Sequence, residues 1–144
     1  MAGLGDAFFF AVQNSHLWIV ITNPVGSDGE FIIVNVTTDY GIGEGVCTLR
    51  PRDYPSYIDH PSEVRYKDAK LWRHTGPKGY NALLAAGAVI PKPPLSLATI
   101  AKVQDGCFGA RLFRYFDAVL PHLVNPLAPD DIRWKVRRMA GIPC

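Results

Sequence analysis

The run 31–37, Phe-Ile-Ile-Val-Asn-Val-Thr, constrains this chain more than any other stretch. Its β-branched and aromatic residues suit a strand, and loops containing Pro, Gly, Asn and Asp bound it at 23–29 and 39–45. Strand side chains alternate, so Ile32, Val34 and Val36 share one face while Asn35 and Thr37 share the other. The first face belongs in a core. The second turns polar toward its C-terminal end and approaches solvent there.

Other short runs can pair with this strand. Residues 7–12 read as a first strand and 16–22 as a second, joined into a hairpin by the polar turn Gln13-Asn14-Ser15. Residues 46–49 make a short fourth strand. Pro51, Pro55 and Pro61 keep the segment 51–61 irregular. Residues 63–68 alternate charged with apolar or aromatic side chains, as an edge strand with one wet face does, and 69–72 extend it. Short strands separated by turns predict a small barrel rather than a parallel sheet.

The pattern changes after Trp72. Residues 73–81 are polar, 82–90 suit a short helix or a strand, and Pro91-Lys92-Pro93-Pro94 stops any regular element. Ser96 caps a helix running to about Gln104, with Leu97, Ile100 and Val103 as its apolar series and Gly106 ending it. A further helix over 110–120 places Leu112, Phe116, Val119 and Leu123 on one face. Another starts after Asp130-Asp131 and carries Arg133, Lys135, Arg137 and Arg138. The fold class expected is mainly β with C-terminal helices (α+β). It forms a single domain over 1–144, with a barrel core at 5–72 and helical additions at 73–144.

Composition excludes several classes. A chain of 144 residues with 48% hydrophobic and 19% charged residues builds one globular core. A formal net charge of +2 does not by itself imply nucleic acid. Cys47, Cys107 and Cys144 are widely spaced and odd in number, which argues against a disulfide framework or a zinc site. The apolar run 8–12 is far short of the roughly 20 residues a membrane span needs. No membrane partner, metal or cofactor is expected, and a cytoplasmic location fits.

Residues 5–68 resemble the PemK/MazF family of toxin–antitoxin endoribonucleases. The residues that carry the resemblance are Gly5-Asp6-Ala7-Phe8, Leu17-Trp18-Ile19-Val20-Ile21-Thr22-Asn23-Pro24, Ile33-Val34-Asn35-Val36-Thr37-Thr38 and Val46-Cys47-Thr48-Leu49. The resemblance implies an SH3-like antiparallel barrel, usually a homodimer, that cuts single-stranded RNA without a metal. It also implies a cognate antitoxin that covers the cleft. An Arg before the second strand and the first Thr of the closing pair act at the scissile phosphate in that family. Thr37 matches the Thr, whereas His16-Leu17 stands where the family keeps Arg-Pro, and Asn35 replaces a proline.

Metal-free RNA cleavage needs a base for the 2′-OH, an acid for the leaving 5′-oxygen and donors for the phosphorane charge. The candidates for catalysis are Thr37, His16, His60 and Arg52. His60 suits the acid or base, with a backbone-bonded turn residue as its alternative. His16 suits a phosphate contact, or else a half-buried strand start. Arg50 and Asn35 are RNA-binding candidates, as are Tyr54 and Tyr57, which either stack on unpaired bases or cover the barrel end. The basic stretch 133–138 suits an RNA backbone or an acidic antitoxin. A second function class is a non-catalytic SH3-like barrel that binds protein or nucleic acid.

Overall fold

A computed structural model describes residues 2–24, 26–39, 41 and 46–110. In chain order they form β1 (Ala7–Phe10), β2 (Gln13–Val20), β3 (Glu30–Thr38), β4 (Thr48–Leu49), β5 (Ser62–Arg73), α1 (Tyr80–Ala85), β6 (Val89–Lys92) and α2 (Leu97–Ala110). The strands make one six-stranded sheet in the order β4-β5-β3-β2-β1-β6. Every neighbouring pair is antiparallel. The described residues are mainly antiparallel β with two short helices, as the alternating patterns predict.

β3 is the hub. It pairs with β2 from Leu17 opposite Val36 to Val20 opposite Ile33, and with β5 from Glu30 opposite Arg73 to Thr38 opposite Ser62. Its alternation separates two apolar clusters. Ile32, Val34 and Val36 lie with Leu17, Ile19, Val64 and Tyr66 on one face. Phe31 and Ile33 lie with Phe8, Trp18, Val20 and Tyr80 on the other. Burying a side chain such as Phe31 or Ile32 contributes about 1.5–3 kcal/mol each, which makes this strand the thermodynamic centre of the sheet.

The two ends of the curled sheet are tied together. Tyr54 follows β4 and Pro93 follows β6, and the Tyr54 hydroxyl donates to the Pro93 carbonyl at 2.5 Å. α2 closes the same side. Ser96 Oγ accepts from the Thr99 amide at 3.2 Å, which is the expected cap. Ile100 and Val103 are buried, and the Gln104 side chain donates to the Ile21 carbonyl at 3.0 Å.

Several boundaries differ from expectation. Gln13-Asn14-Ser15 belong to β2, because Phe10 pairs with Gln13 and leaves Ala11 and Val12 as the hairpin turn. β5 lies between β4 and β3 rather than at the sheet edge, although β4 covers only Ser62 and Glu63. Residues 82–90 are both helix and strand: Gly87, at φ +75°, ends α1 and lets β6 begin. Pro91 and Lys92 continue that strand, since an edge position tolerates a residue with no N–H to donate. β6 therefore brings part of 73–144 into the sheet beside β1. Leu97 is exposed rather than inward, and α2 runs through Gly106 instead of ending there. The helices expected over 110–120 and after 130 lie outside the described residues. Among the described residues no helix is long and apolar enough to cross a membrane.

Candidate functional site

The C-terminal end of β3 meets the end of the loop that leads into β5. This loop, residues 51–61, is a series of turns fixed from inside. The Asp53 carboxylate accepts from the Arg50 amide at 2.8 Å and from Lys102 at 3.0 Å, while its carbonyl accepts from Thr99 at 2.7 Å. Burial alone would raise the Asp53 carboxyl. The Arg50 amide and the Lys102 ammonium outweigh it and hold the group below the ordinary range. Tyr54 and Ile58 insert into the core. With those positions buried, Tyr57, Asp59 and His60 remain at the surface.

The loop then joins the strand end. The Asp39 amide donates to the Pro61 carbonyl at 3.1 Å, and Ser62 Oγ donates to the His60 carbonyl at 3.0 Å. Between them lies a cleft of about 250 Å³ lined by Val36, Thr37, Thr38, Tyr57, Asp59, His60 and Ser62. The His60 ring bridges two partners. Its Nε2 is 2.9 Å from Thr38 Oγ1 and its Nδ1 bonds the Asp59 carboxylate. A carboxylate only accepts, so neutral His60 carries its proton on Nδ1 and accepts the Thr38 hydroxyl at Nε2. A carboxylate that fixes the tautomer and a hydroxyl at the opposite nitrogen are the parts of a proton relay.

The sequence-derived residues divide between this cleft and its surroundings. His60 and Thr37 line it, as does Tyr57, whose ring stands edge-on to Phe9 at 5.2 Å. Burial, assisted by the Asp59 charge, raises the Tyr57 hydroxyl's pKa and keeps it protonated. Tyr54 is buried and spent on Pro93, so it covers the sheet end and offers no face to a base. Arg50 and Arg52 are exposed on the loop but do not line the cleft.

His16 and Asn35 lie on the other face of the sheet. Asn35 sits opposite Trp18 in β2 and Arg65 in β5. His16 is one step beyond the Leu17–Val36 pair, which sets it beside Thr37. His16 Nδ1 and Asn35 Oδ1 are buried with no hydrogen-bond partner among the described residues. Cys47 is buried as well, and that burial raises its thiol pKa, so it is a poor nucleophile.

Thr38, Asp59 and Ser62 are the site residues that sequence reasoning missed. By alternation Thr38 shares the face of Ile32, Val34 and Val36, and that face opens into the cleft where the apolar residues stop. No three His, Cys, Asp or Glu side chains among the described residues cluster as metal ligands would. Comparison of the chain with protein-family models, with curated proteins and with solved structures finds no match.

Proposed function

We propose that this protein is a metal-independent endoribonuclease that cuts single-stranded RNA through the 2′-OH. The observation that carries this reading is the Asp59–His60–Thr38 chain at the rim of the cleft. His60 Nε2 takes the proton of a 2′-OH that displaces the Thr38 hydroxyl from it. The 2′-oxygen attacks the adjacent phosphorus, the P–O5′ bond breaks, and a 2′,3′-cyclic phosphate and a 5′-OH result. The proton returns from the imidazolium to O5′. Asp59 steadies the imidazolium, Thr38 and Thr37 donate to the phosphate oxygens, and Tyr57 packs against a base. Arg52 and Arg50, exposed outside the cleft, are assigned to flanking phosphates of the RNA rather than to the scissile one.

The wider reading adopts the PemK/MazF resemblance. The sheet is then an SH3-like barrel within a single domain, and the protein is the homodimeric toxin of a type II toxin–antitoxin pair in the cytoplasm. The curl of the sheet and the Thr-Thr end of β3 support it. One observation favours binding without cleavage instead: among the described residues no Arg or Lys lines the cleft to hold a scissile phosphate.

Incubation with a long single-stranded RNA in EDTA separates the two. Discrete cuts ending in cyclic phosphate are expected. Their rate should fall about 10²–10⁴-fold in His60→Ala, the range that one general acid–base group supplies. Binding without cuts across several RNAs would leave the non-catalytic reading in possession.

A further inference from the structure

The Asp59–His60–Thr38 chain ends on a hydroxyl of the protein itself, and RNA cleavage requires that hydroxyl to move aside. Thr38 Oγ1 lies 2.9 Å from His60 Nε2, and the Asp59 carboxylate bonds His60 Nδ1. With the proton of neutral His60 on Nδ1, Nε2 faces the Thr38 hydroxyl as a base. A hydroxyl, a base and a carboxylate that orients the base are the parts of an activated oxygen nucleophile.

The fold holds these parts together from two separate elements. Thr38 ends β3, where it pairs with Ser62 of β5. Ser62 Oγ donates to the His60 carbonyl at 3.0 Å, and the amide of Asp39, next to Thr38, donates to the Pro61 carbonyl at 3.1 Å. The backbone around His60 is thereby fastened to the strand end that carries Thr38. Thr38 is half-buried, whereas His60 and Asp59 are exposed, so the hydroxyl lies deeper in the cleft than the groups that activate it.

Charge and size indicate the substrate. Among the described residues the cleft lining includes Asp59 and no Arg or Lys. A carboxylate beside the reacting atoms repels an anion but not an uncharged carbonyl group. At about 250 Å³, with Val36 and Tyr57 in its wall, the cleft suits a short acyl chain.

We propose that this cleft hydrolyses uncharged esters or thioesters of short acyl chains, with Thr38 as the nucleophile. The proton of the Thr38 hydroxyl passes to His60 Nε2 as Oγ1 bonds the acyl carbon. The tetrahedral intermediate expels the alcohol or thiol, which takes that proton from the imidazolium. Water then gives a proton to the same nitrogen and attacks the Thr38 ester. Oγ1 leaves with that proton, and the carboxylic acid is released. Asp59 steadies the imidazolium in both halves. Thr37 and Tyr57, which also line the cleft, are assigned to the carbonyl oxygen as it takes up charge. This reaction does not depend on the RNA reading, although it uses the same histidine.

The test follows hydrolysis of p-nitrophenyl acetate by the full chain. An alkyl fluorophosphonate, from which an activated hydroxyl displaces fluoride to form a stable P–O bond, then marks the nucleophile. Turnover above the buffer rate is expected, falling at least about 10²-fold in Thr38→Val and in His60→Ala. Thr38→Ser should keep it, and the fluorophosphonate should abolish it while tagging Thr38 in peptide mass spectrometry. Far-UV circular dichroism confirms that the variants fold. The proposal is overturned by turnover no faster than buffer, by turnover unchanged in Thr38→Val, or by a tag that is absent from Thr38 or sits on His60 or Ser62 instead. RNA cleavage in the same preparations reads the other activity. Cuts without ester turnover sink the acyl reaction alone, and ester turnover without cuts sinks the RNA reading alone.

Discussion

Gly106 and Tyr66 meet where α2 crosses the sheet: a β-carbon at Gly106 would lie 2.1 Å from the Tyr66 hydroxyl oxygen. That hydroxyl is buried and donates to the Val103 carbonyl at 2.6 Å, one turn earlier in the same helix. A mid-helix glycine is normally a weakness, and replacing it with alanine gains up to about 1 kcal/mol of helix propensity. Here the methyl has no room, because the Tyr66 ring is enclosed by the core and Cys47 Cβ is only 3.1 Å from the new atom.

Gly106→Ala should therefore destabilise the protein by about 1–3 kcal/mol, the usual cost of overpacking. A lower urea midpoint with an unchanged m-value is the expected reading. A midpoint equal to or above that of the parent would show that α2 can slide away from Tyr66.

The same pair explains why part of the fold was not readable in the sequence. Gly106 reads as a helix stop because Tyr66, the residue that requires it, is distant in the chain. The β3 strand was readable to within one residue at each end, and alternation alone assigns Ile32, Val34 and Val36 to one core. Tyr54 and Tyr57 share one polar loop, and only the tertiary contact with Pro93 decides that the first is buried. Thr37 and Thr38 are adjacent hydroxyls whose parity is legible. The loop carrying His60 determines which of them meets a proton acceptor.

His74 links pH to stability. Its ring is buried against Phe31, at 5.1 Å between centroids, and its Nε2–H donates to the Ala2 carbonyl at 2.8 Å. Burial lowers its pKa below the ordinary histidine value, only partly offset by that hydrogen bond. The unfolded chain then takes up the proton more readily than the folded one. The contribution is intact above about pH 6.5 and is lost as the pH falls from there through the lower folded value. Urea midpoints measured between about pH 7.5 and 5.5 should fall, and His74→Gln should flatten the slope. An unaltered slope in that variant would assign the effect elsewhere.

Asp53 works in the opposite sense of charge. Its folded pKa is lowered, so its contribution is present above the unfolded value of about 3.9 and is lost as the pH falls through the folded one. Asp53→Ala removes the acceptor of the Arg50 amide as well as the Lys102 partner and should cost about 1–2 kcal/mol. Lys102→Met, at a half-exposed position, should cost under about 1 kcal/mol. If Asp53 anchors the loop that carries His60, RNA cleavage should fall more in Asp53→Ala than in Lys102→Met. Equal activities would place the anchor in Tyr54 and Ile58 instead.

The sharpest prediction concerns the two adjacent threonines. Thr38 Oγ1 meets His60, whereas Thr37 lies opposite Glu63 and lines the cleft without a bond to the relay. Thr38→Val removes the hydroxyl that holds the imidazole, so it should lower kcat. Thr38→Ser should restore it. Thr37→Val should weaken phosphate binding, raising KM while leaving kcat in place. Asp59→Ala should mimic Thr38→Val in lowering kcat, because it frees the other ring nitrogen. If instead Thr37→Val lowers kcat and Thr38→Val does not, the reacting centre lies on the face shared by Thr37 and His16, and the cleft beside His60 is only its neighbour.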